Sequence, residues 1–183
     1  MAEKPIDLSQ ITADYRDFLQ TFRSAQLATS SAASKPEASY APFIRRGRSF
    51  YVYVSELSQH TVNLAENPRA SLLLIENEDD ARNLFARRRV TYQCNCQEVE
   101  RGSGPFESTM DGFQAQFGDF IGLLRNLADF HLYCMTPYSG TYVAGFAQAF
   151  RLVGDDLDEV QHVSDADYRE ADRVAEEKHD DPD

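Results

Sequence analysis

The fold is decided by Ser49–Tyr92, SFYVYVSELSQHTVNLAENPRASLLLIENEDDARNLFARRRVTY. It opens on Phe50-Tyr51-Val52-Tyr53-Val54, an aromatic and β-branched run that suits a pleated strand. Ser58 stands where a helix cap belongs, and Gln59–Glu66 reads as a short helix turning Val62 and Ala65, helped by Leu64, toward the core. Pro68 stops that helix, because it drives Asn67 out of the helical region and has no N–H to continue the ladder. Ala70–Ile75 then reads as a buried strand, and a third strand starts near Arg88. The chemistry is at the helix start. The free N–H groups of Ser58–Thr61, two hydroxyls and the His60 imidazole converge where an anion could sit.

This order resembles the split-barrel fold of the pyridoxamine 5'-phosphate oxidase superfamily, which binds FMN. There a Ser-Arg-Lys turn opens the helix. Here Ser58-Gln59-His60 takes its place, so both basic residues that would hold a flavin phosphate are absent. Several pieces are similar to one subgroup: Gln26-Leu27-Ala28-Thr29, Ser39-Tyr40-Ala41-Pro42-Phe43, Phe85-Ala86-Arg87-Arg88-Arg89, and Gly145-Phe146-Ala147-Gln148-Ala149-Phe150 with Gly154-Asp155-Asp156 after it. The subgroup is the HugZ/HutZ-type haem-utilisation proteins, which bind haem on the split barrel and degrade it oxidatively. The resemblance runs from about Phe22 to Asp158.

It implies a mainly β, antiparallel split β-barrel of six to eight strands with peripheral helices, assembled as a homodimer. The implied function is oxidative haem degradation for iron release, with haem as both substrate and cofactor and a separate electron donor. The alternatives are an FMN-dependent oxidoreductase on the same barrel and a non-catalytic haem carrier. The implied cofactor-binding residues are Thr29, Ser39, Tyr40, Ser58, His60, Arg88 and Arg89. Arg89 takes the distal or propionate contact, and Asp129, in Leu127-Ala128-Asp129-Phe130, supports the axial ligand from behind. In the subgroup that ligand is a His of the C-terminal segment, but its place here is Asp167-Tyr168-Arg169. The candidate iron ligands are therefore His162 and a Tyr168 phenolate, with His179 folding back as a third.

The remaining residues set bounds. A chain of 183 residues suits one domain with a real core. No apolar run approaches the roughly 20 residues that span a bilayer, and MAEKPIDLSQ has no apolar signal core. Three cysteines without a paired framework suit a reducing compartment, so the expected location is cytoplasmic with no membrane insertion. The net charge of −12 is concentrated: residues 154–183 hold thirteen acidic and three basic side chains. Such a chain is not expected to bind nucleic acid, which needs clustered Lys or Arg. The expected division is residues 1–153 as the barrel with its N-terminal helix and 154–183 as an acidic tail, with a docking helix over Ser164–Lys178.

Ile6–Phe22 is a helix by the spacing of Ile11, Tyr15, Phe18, Leu19 and Phe22, capped by Asp7 or Ser9. Ala25–Ser31 and Glu37–Ile44 read as a hairpin that sets Thr29 and Ser39 beside the implied cofactor face. Arg88–Val99 alternates, with Arg87, Arg89 and Thr91 on one side and Arg88 and Val90 on the other. A guanidinium there needs an acid, either Glu76 or Glu78 or a ligand carboxylate. Cys94 and Cys96 share one strand face and read as buried thiols rather than as zinc ligands. Pro105–Ala128 is helical with a break at Gly118. The closing strands are Phe130–Met135, Thr141–Val143 and Ala147–Val153, the first two joined by a turn at Pro137-Tyr138-Ser139-Gly140. Tyr51, Tyr53 and Leu72–Ile75 offer the apolar surface expected to pair two copies.

Overall fold

The computed structural model describes residues 6–162. Tyr168, His179 and the helix expected over residues 164–178 lie outside them. Helix α1 (Leu8–Gln20) begins where the Asp7 carboxylate accepts from the N–H groups of Ser9 at 3.0 Å and Gln10 at 3.3 Å. Strands β1 (Ser24–Ser30), β2 (Pro36–Arg46) and β3 (Ser49–Ser55) follow. Next come α2 (Gln59–Glu66), β4 (Arg69–Ile75), two 3₁₀ turns at Glu78–Asp80 and Leu84–Ala86, and β5 (Arg89–Val99). Helices α3 (Gly104–Phe117) and α4 (Phe120–Leu124) are parted at Gly118, whose φ of 84° no helix continues. The chain closes with β6 (Phe130–Gly145), β7 (Gln148–Val153) and β8 (Glu159–His162).

All pairings are antiparallel, and the order β3-β2-β1-β4-β5-β6-β7-β8 closes on itself where β3 pairs with β6. Six strands thus make a closed barrel and two extend from it as a flap. This is the split barrel that the sequence implies. Alternation points Leu27, Phe43, Phe50, Leu72, Leu74, Val90 and Tyr92 inward, where they form the main core with α1 at one end. A second core lies outside the barrel, where Phe106, Met110 and Phe113 of α3 cover Ile44, Tyr53 and Leu132. Arg101 secures this excursion by donating to the carbonyls of Arg125 (2.8 Å), Leu127 (2.9 Å) and Phe130 (2.6 Å).

The chain's own helices therefore cover the outside of β2, β3 and β6. Among the described residues, no helix covers the outside of β1, β4 and β5. The apolar surface expected at Tyr51, Tyr53 and Leu72–Ile75 is redistributed accordingly. Tyr51 and Tyr53 belong to the α3 side, Leu72 and Leu74 fill the barrel, and only Leu73 and Ile75 face outward.

Two local expectations are overturned. In α2 the buried residues are His60, Thr61, Asn63 and Leu64, whereas Val62 and Ala65 face outward. Polar side chains occupy the inner face because each finds a partner: His60 at Ser39, Asn63 at Thr29 and Thr61 at the Ser55 carbonyl. The expected turn at Pro137–Gly140 is instead the middle of the 16-residue β6. A register shift between Gln93 and Cys94, which pair with Ser139 and Pro137, leaves Tyr138 as an extra residue on β6, a bulge of the kind that tolerates proline within a strand. At that point β6 changes neighbours, leaving β3 at Met135 and taking up β7 from Thr141.

The sheet also continues past residue 153. Tyr15 donates its hydroxyl to the Leu157 carbonyl at 2.8 Å, Arg16 reaches the Asp158 carboxylate at 2.9 Å, and Arg48 reaches the Asp155 carbonyl at 2.6 Å. These contacts seat β8 against β7.

Candidate functional site

The residues singled out from the sequence fall into separate places, and strand parity decides which. Ser39 and Tyr40 are neighbours on β2 and so point to opposite sides of the sheet. Ser39 turns under α2, where its hydroxyl lies 2.9 Å from His60 Nδ1. Thr29 turns the same way, is buried, and accepts from Asn63 Nδ2 at 3.0 Å. It does not reach an open face. Burial holds the His60 imidazole below its ordinary pKa against the opposing pull of Glu37, so the ring is neutral near pH 7.

Ser58 occupies the cap position of α2, but its side chain makes no capping bond. The anion cradle expected there is half spent. The Ser58 N–H donates to the Ser55 carbonyl and the Thr61 N–H to the Ser58 carbonyl, both at 3.0 Å.

Of the three consecutive arginines, two are consumed within the chain. Arg87 donates to Glu78 Oε1 at 3.1 Å and to the Glu76 carbonyl. Arg88 pairs with Glu76 at 2.9 Å and lies over the Phe18 ring at 5.0 Å from its centre. Arg89 reaches only the Arg87 carbonyl, at 3.1 Å, and has no carboxylate partner among the described residues. It stands on the open outer side beside Ile75 and Val143, its partners in register. Parity places Tyr40, Gln26, Leu73 and Thr91 in one row across that same side. Over β1, β2, β4 and β5 the outward positions hold no carboxylate, in a chain where 26% of residues are charged. This face can receive an apolar ligand with an anionic edge.

Asp129 lies elsewhere, at the start of β6. Its Oδ2 accepts from the Ser55 hydroxyl at 2.8 Å, and its carbonyl accepts from the Glu56 N–H. Beside it, His131 bridges Glu98 (2.6 Å from Nδ1) and Glu56 (2.7 Å from Nε2). The Glu98 bond foremost, then the Glu56 one, raises its pKa against partial burial. His162 ends β8 and is exposed, its ring edge-on to Phe150 at 5.6 Å. The row His162–Phe150–Tyr142–Val90 has the opposite parity to Arg89, so within one chain His162 and Arg89 face opposite ways. Cys94 and Cys96 line the barrel interior, where burial pushes the Cys96 thiol up to about 12 and Cys94 higher still.

Sequence reasoning missed Asn63, because a helical asparagine signals nothing until Thr29 is known to sit behind it. It also missed the Glu56–His131–Glu98 bridge, whose members are far apart in the chain and meet only through the β3–β6–β5 register.

Comparison with known proteins gives one consistent result. The family model described as pyridoxamine 5'-phosphate oxidase matches residues 11–144. A protein of Vibrio cholerae named heme oxygenase HutZ is 35% identical over 156 residues, covering 85% of this chain and 89% of its own length. The crystal structure of HutZ from Vibrio cholerae, described as a heme storage protein, superposes with a TM-score of 0.67 at 34% identity, over 72% of this chain and 91% of that one. ChuZ of Campylobacter jejuni superposes with a TM-score of 0.79 at 31% identity, over 88% of this chain and 65% of its own. The chain thus spans slightly under two thirds of the length of ChuZ.

Proposed function

The chain belongs to the pyridoxamine 5'-phosphate oxidase family, and from that premise we propose that it binds haem and opens the ring oxidatively, releasing iron. The observation that carries this reading is the carboxylate-free outer face with the Arg89 guanidinium at one end, which has no carboxylate partner among the described residues. Arg89 would hold a propionate in its planar fork, and Tyr40 and Leu73 would give the ring an apolar floor that excludes water. Bound haem supplies the oxygen chemistry, with electrons from a separate donor. Asp129, fixed by Ser55 through one oxygen, stands at the opposite end of β6 from Val143, the partner of Arg89, so it would orient an axial ligand only across a seam with a second copy. Because His162 faces away from Arg89, the reading favours a ligand from beyond it, Tyr168 or His179, or from a second copy.

A homodimer belongs to this proposal. The uncovered side of β1, β4 and β5 is the surface a second copy would close, with the haem pocket at the seam. A cytoplasmic location is proposed on the three free thiols. Within the described residues, no helix is long and apolar enough to cross a membrane.

FMN fits less well. The start of α2 offers a neutral, buried His60 where a phosphate needs a cation, and two of its N–H groups are already bonded. A carrier role has its own support, since the Vibrio relative is named both an oxygenase and a storage protein. Titration with haemin, then addition of reductant and O₂ with a ferrous chelator present, separates the readings. Growth and then loss of the Soret band with iron release supports ring opening. A stable Soret band means a carrier, and a preparation that carries twin flavin bands and takes up no haemin means FMN.

A further inference from the structure

We propose that the pocket beside α2 holds a primary alkylammonium group, its charge among Glu56, Glu66 and Glu98 and its stem on Val62 and Ala65. The pocket has a volume of about 320 Å³, at the lower end of the range for small-molecule sites. Helix α2 supplies Val62 and Ala65, the two apolar residues it turns outward, and Glu66 at its last position. Glu56 follows β3, Glu98 ends the inward row of β5, and His131 and Tyr133 come from β6. Glu98 and Tyr133 are partners in register, so they share one side of the sheet.

Carboxylates alone would be a solvated rim. Tyr133 is what marks a site: it is 3% exposed and lines the pocket, yet its hydroxyl has no hydrogen-bond partner among the described residues. A buried polar group without a partner calls for one. Burial foremost, then the Glu98 charge, raises the pKa of this phenol, so at neutral pH it can both donate and accept. The oxygens that remain match an ammonium. His131 engages Oε1 of Glu56 and Oε1 of Glu98, and the Ala32 N–H engages Oε2 of Glu66. That leaves Glu56 Oε2, Glu98 Oε2 and Glu66 Oε1 as acceptors for a group with three N–H donors. Three carboxylates outweigh one imidazolium, so the walls favour a cation even with His131 charged. A metal ion fits less well, because Glu98 and Glu56 lie on opposite nitrogens of the His131 ring and one ion cannot take all three. Among the described residues, no group of three or more His, Cys, Asp or Glu is arranged to hold one. The apolar floor adds a demand that a bare ion does not meet, and an alkyl stem does.

The test follows the NMR signals of the Val62 and Ala65 methyl groups and the Tyr133 ring while butylammonium, 1-butanol or magnesium chloride is added at one fixed ionic strength. Butylammonium should shift these signals to saturation. Butanol, which has the stem without the charge, and Mg²⁺, which has the charge without the stem, should not. Glu66→Gln keeps an acceptor for the Ala32 N–H and should weaken butylammonium binding roughly tenfold. Tyr133→Phe removes only the unpartnered hydroxyl and should weaken it roughly threefold. Neither change touches the His131 bridge, and thermal midpoints check the fold; Val62→Ser, on the exposed side of α2, is the further variant should either one unfold. Blocked lysine, Nα-acetyl-lysine methylamide, identifies the source of the ammonium: tighter binding than butylammonium supports a lysine side chain of a partner, and weaker binding supports a free amine. Equal shifts with butanol or Mg²⁺, or a butylammonium affinity unchanged in the variants, overturns the proposal.

Discussion

Tyr15 and Tyr92 are fully buried, with their hydroxyl oxygens 2.6 Å apart, and Tyr15 also lies 2.8 Å from the Leu157 carbonyl. Each phenol has one proton. A carbonyl can only accept, so the Tyr15 proton goes to Leu157 and Tyr92 must donate to Tyr15. The chain of bonds therefore has a direction, and removing its members has unequal effects. Tyr92→Phe removes one bond and leaves Tyr15 still donating, which costs about 0.5–1.5 kcal/mol. Tyr15→Phe removes two bonds and strands the Tyr92 hydroxyl and the Leu157 carbonyl in the core, at about 2–4 kcal/mol. The double variant no longer strands the Tyr92 hydroxyl, so it should cost about 1 kcal/mol less than the two single changes added together. Urea denaturation of all four proteins, compared at constant m, measures the cycle. If Tyr92→Phe is the more damaging change, the direction is wrong. If the costs simply add, the hydroxyls do not interact. Burial raises the pKa of both phenols, so the result should hold across neutral pH.

Three further expectations are simpler. Arg89→Ala should weaken haemin binding by about 1.5–3 kcal/mol without unfolding the barrel, and Arg89→Lys should recover only part; unchanged affinity would remove Arg89 from the site. The raised pKa of His131 contributes stability that is fully present below its unfolded value of about 6.5 and is lost as pH rises through the folded value. His60 works the other way, losing stability as pH falls through its lowered value, so thermal midpoints of His131→Gln against pH should drop the alkaline-side loss and keep the acid-side one. With both Glu side chains more than half exposed, the His131 effect stays below about 1 kcal/mol. Gly140→Ala should destabilise by about 1–3 kcal/mol, because a Cβ there would lie 2.6 Å from Leu152 Cδ1 and 2.9 Å from Tyr92 Cδ1; a thermal midpoint equal to wild type would show that the core yields.

The order of elements was legible because local chemistry enforces it: the aromatic run of β3, the stop at Asn67-Pro68, the break at Gly118. The orientation of α2 was not, since apolar count says outward for His60 and Asn63. Only the arrival of Ser39 and Thr29 from the β1–β2 hairpin makes the polar face the inner one. The continuity of β6 was hidden for a similar reason, because Pro137–Gly140 has turn composition and the bulge that keeps it extended is shared with β5. Strand β8 was obscured by its acidic surroundings, with Val160 as its only buried residue. For the site, alternation alone places Arg89 opposite Arg88. It could not show that Glu76 and Glu78 take Arg88 and Arg87 and leave Arg89 over.

The seam that closes the barrel also sets a timetable for synthesis. Phe50 of β3 pairs with Met135 of β6, 85 residues later in the chain. At about 5–20 residues per second, β3 waits roughly 4–17 s on the ribosome before its partner is made. During that interval the nascent sheet has two open edges, and its inner face of Phe43, Phe50 and Leu72 has nothing to close over it. Closing so long a loop is slow, and the exposed intermediate is where this chain is most open to aggregation. Expression at lower temperature or with a chaperone that shields sheet edges should therefore raise soluble yield more than any substitution that strengthens the finished barrel.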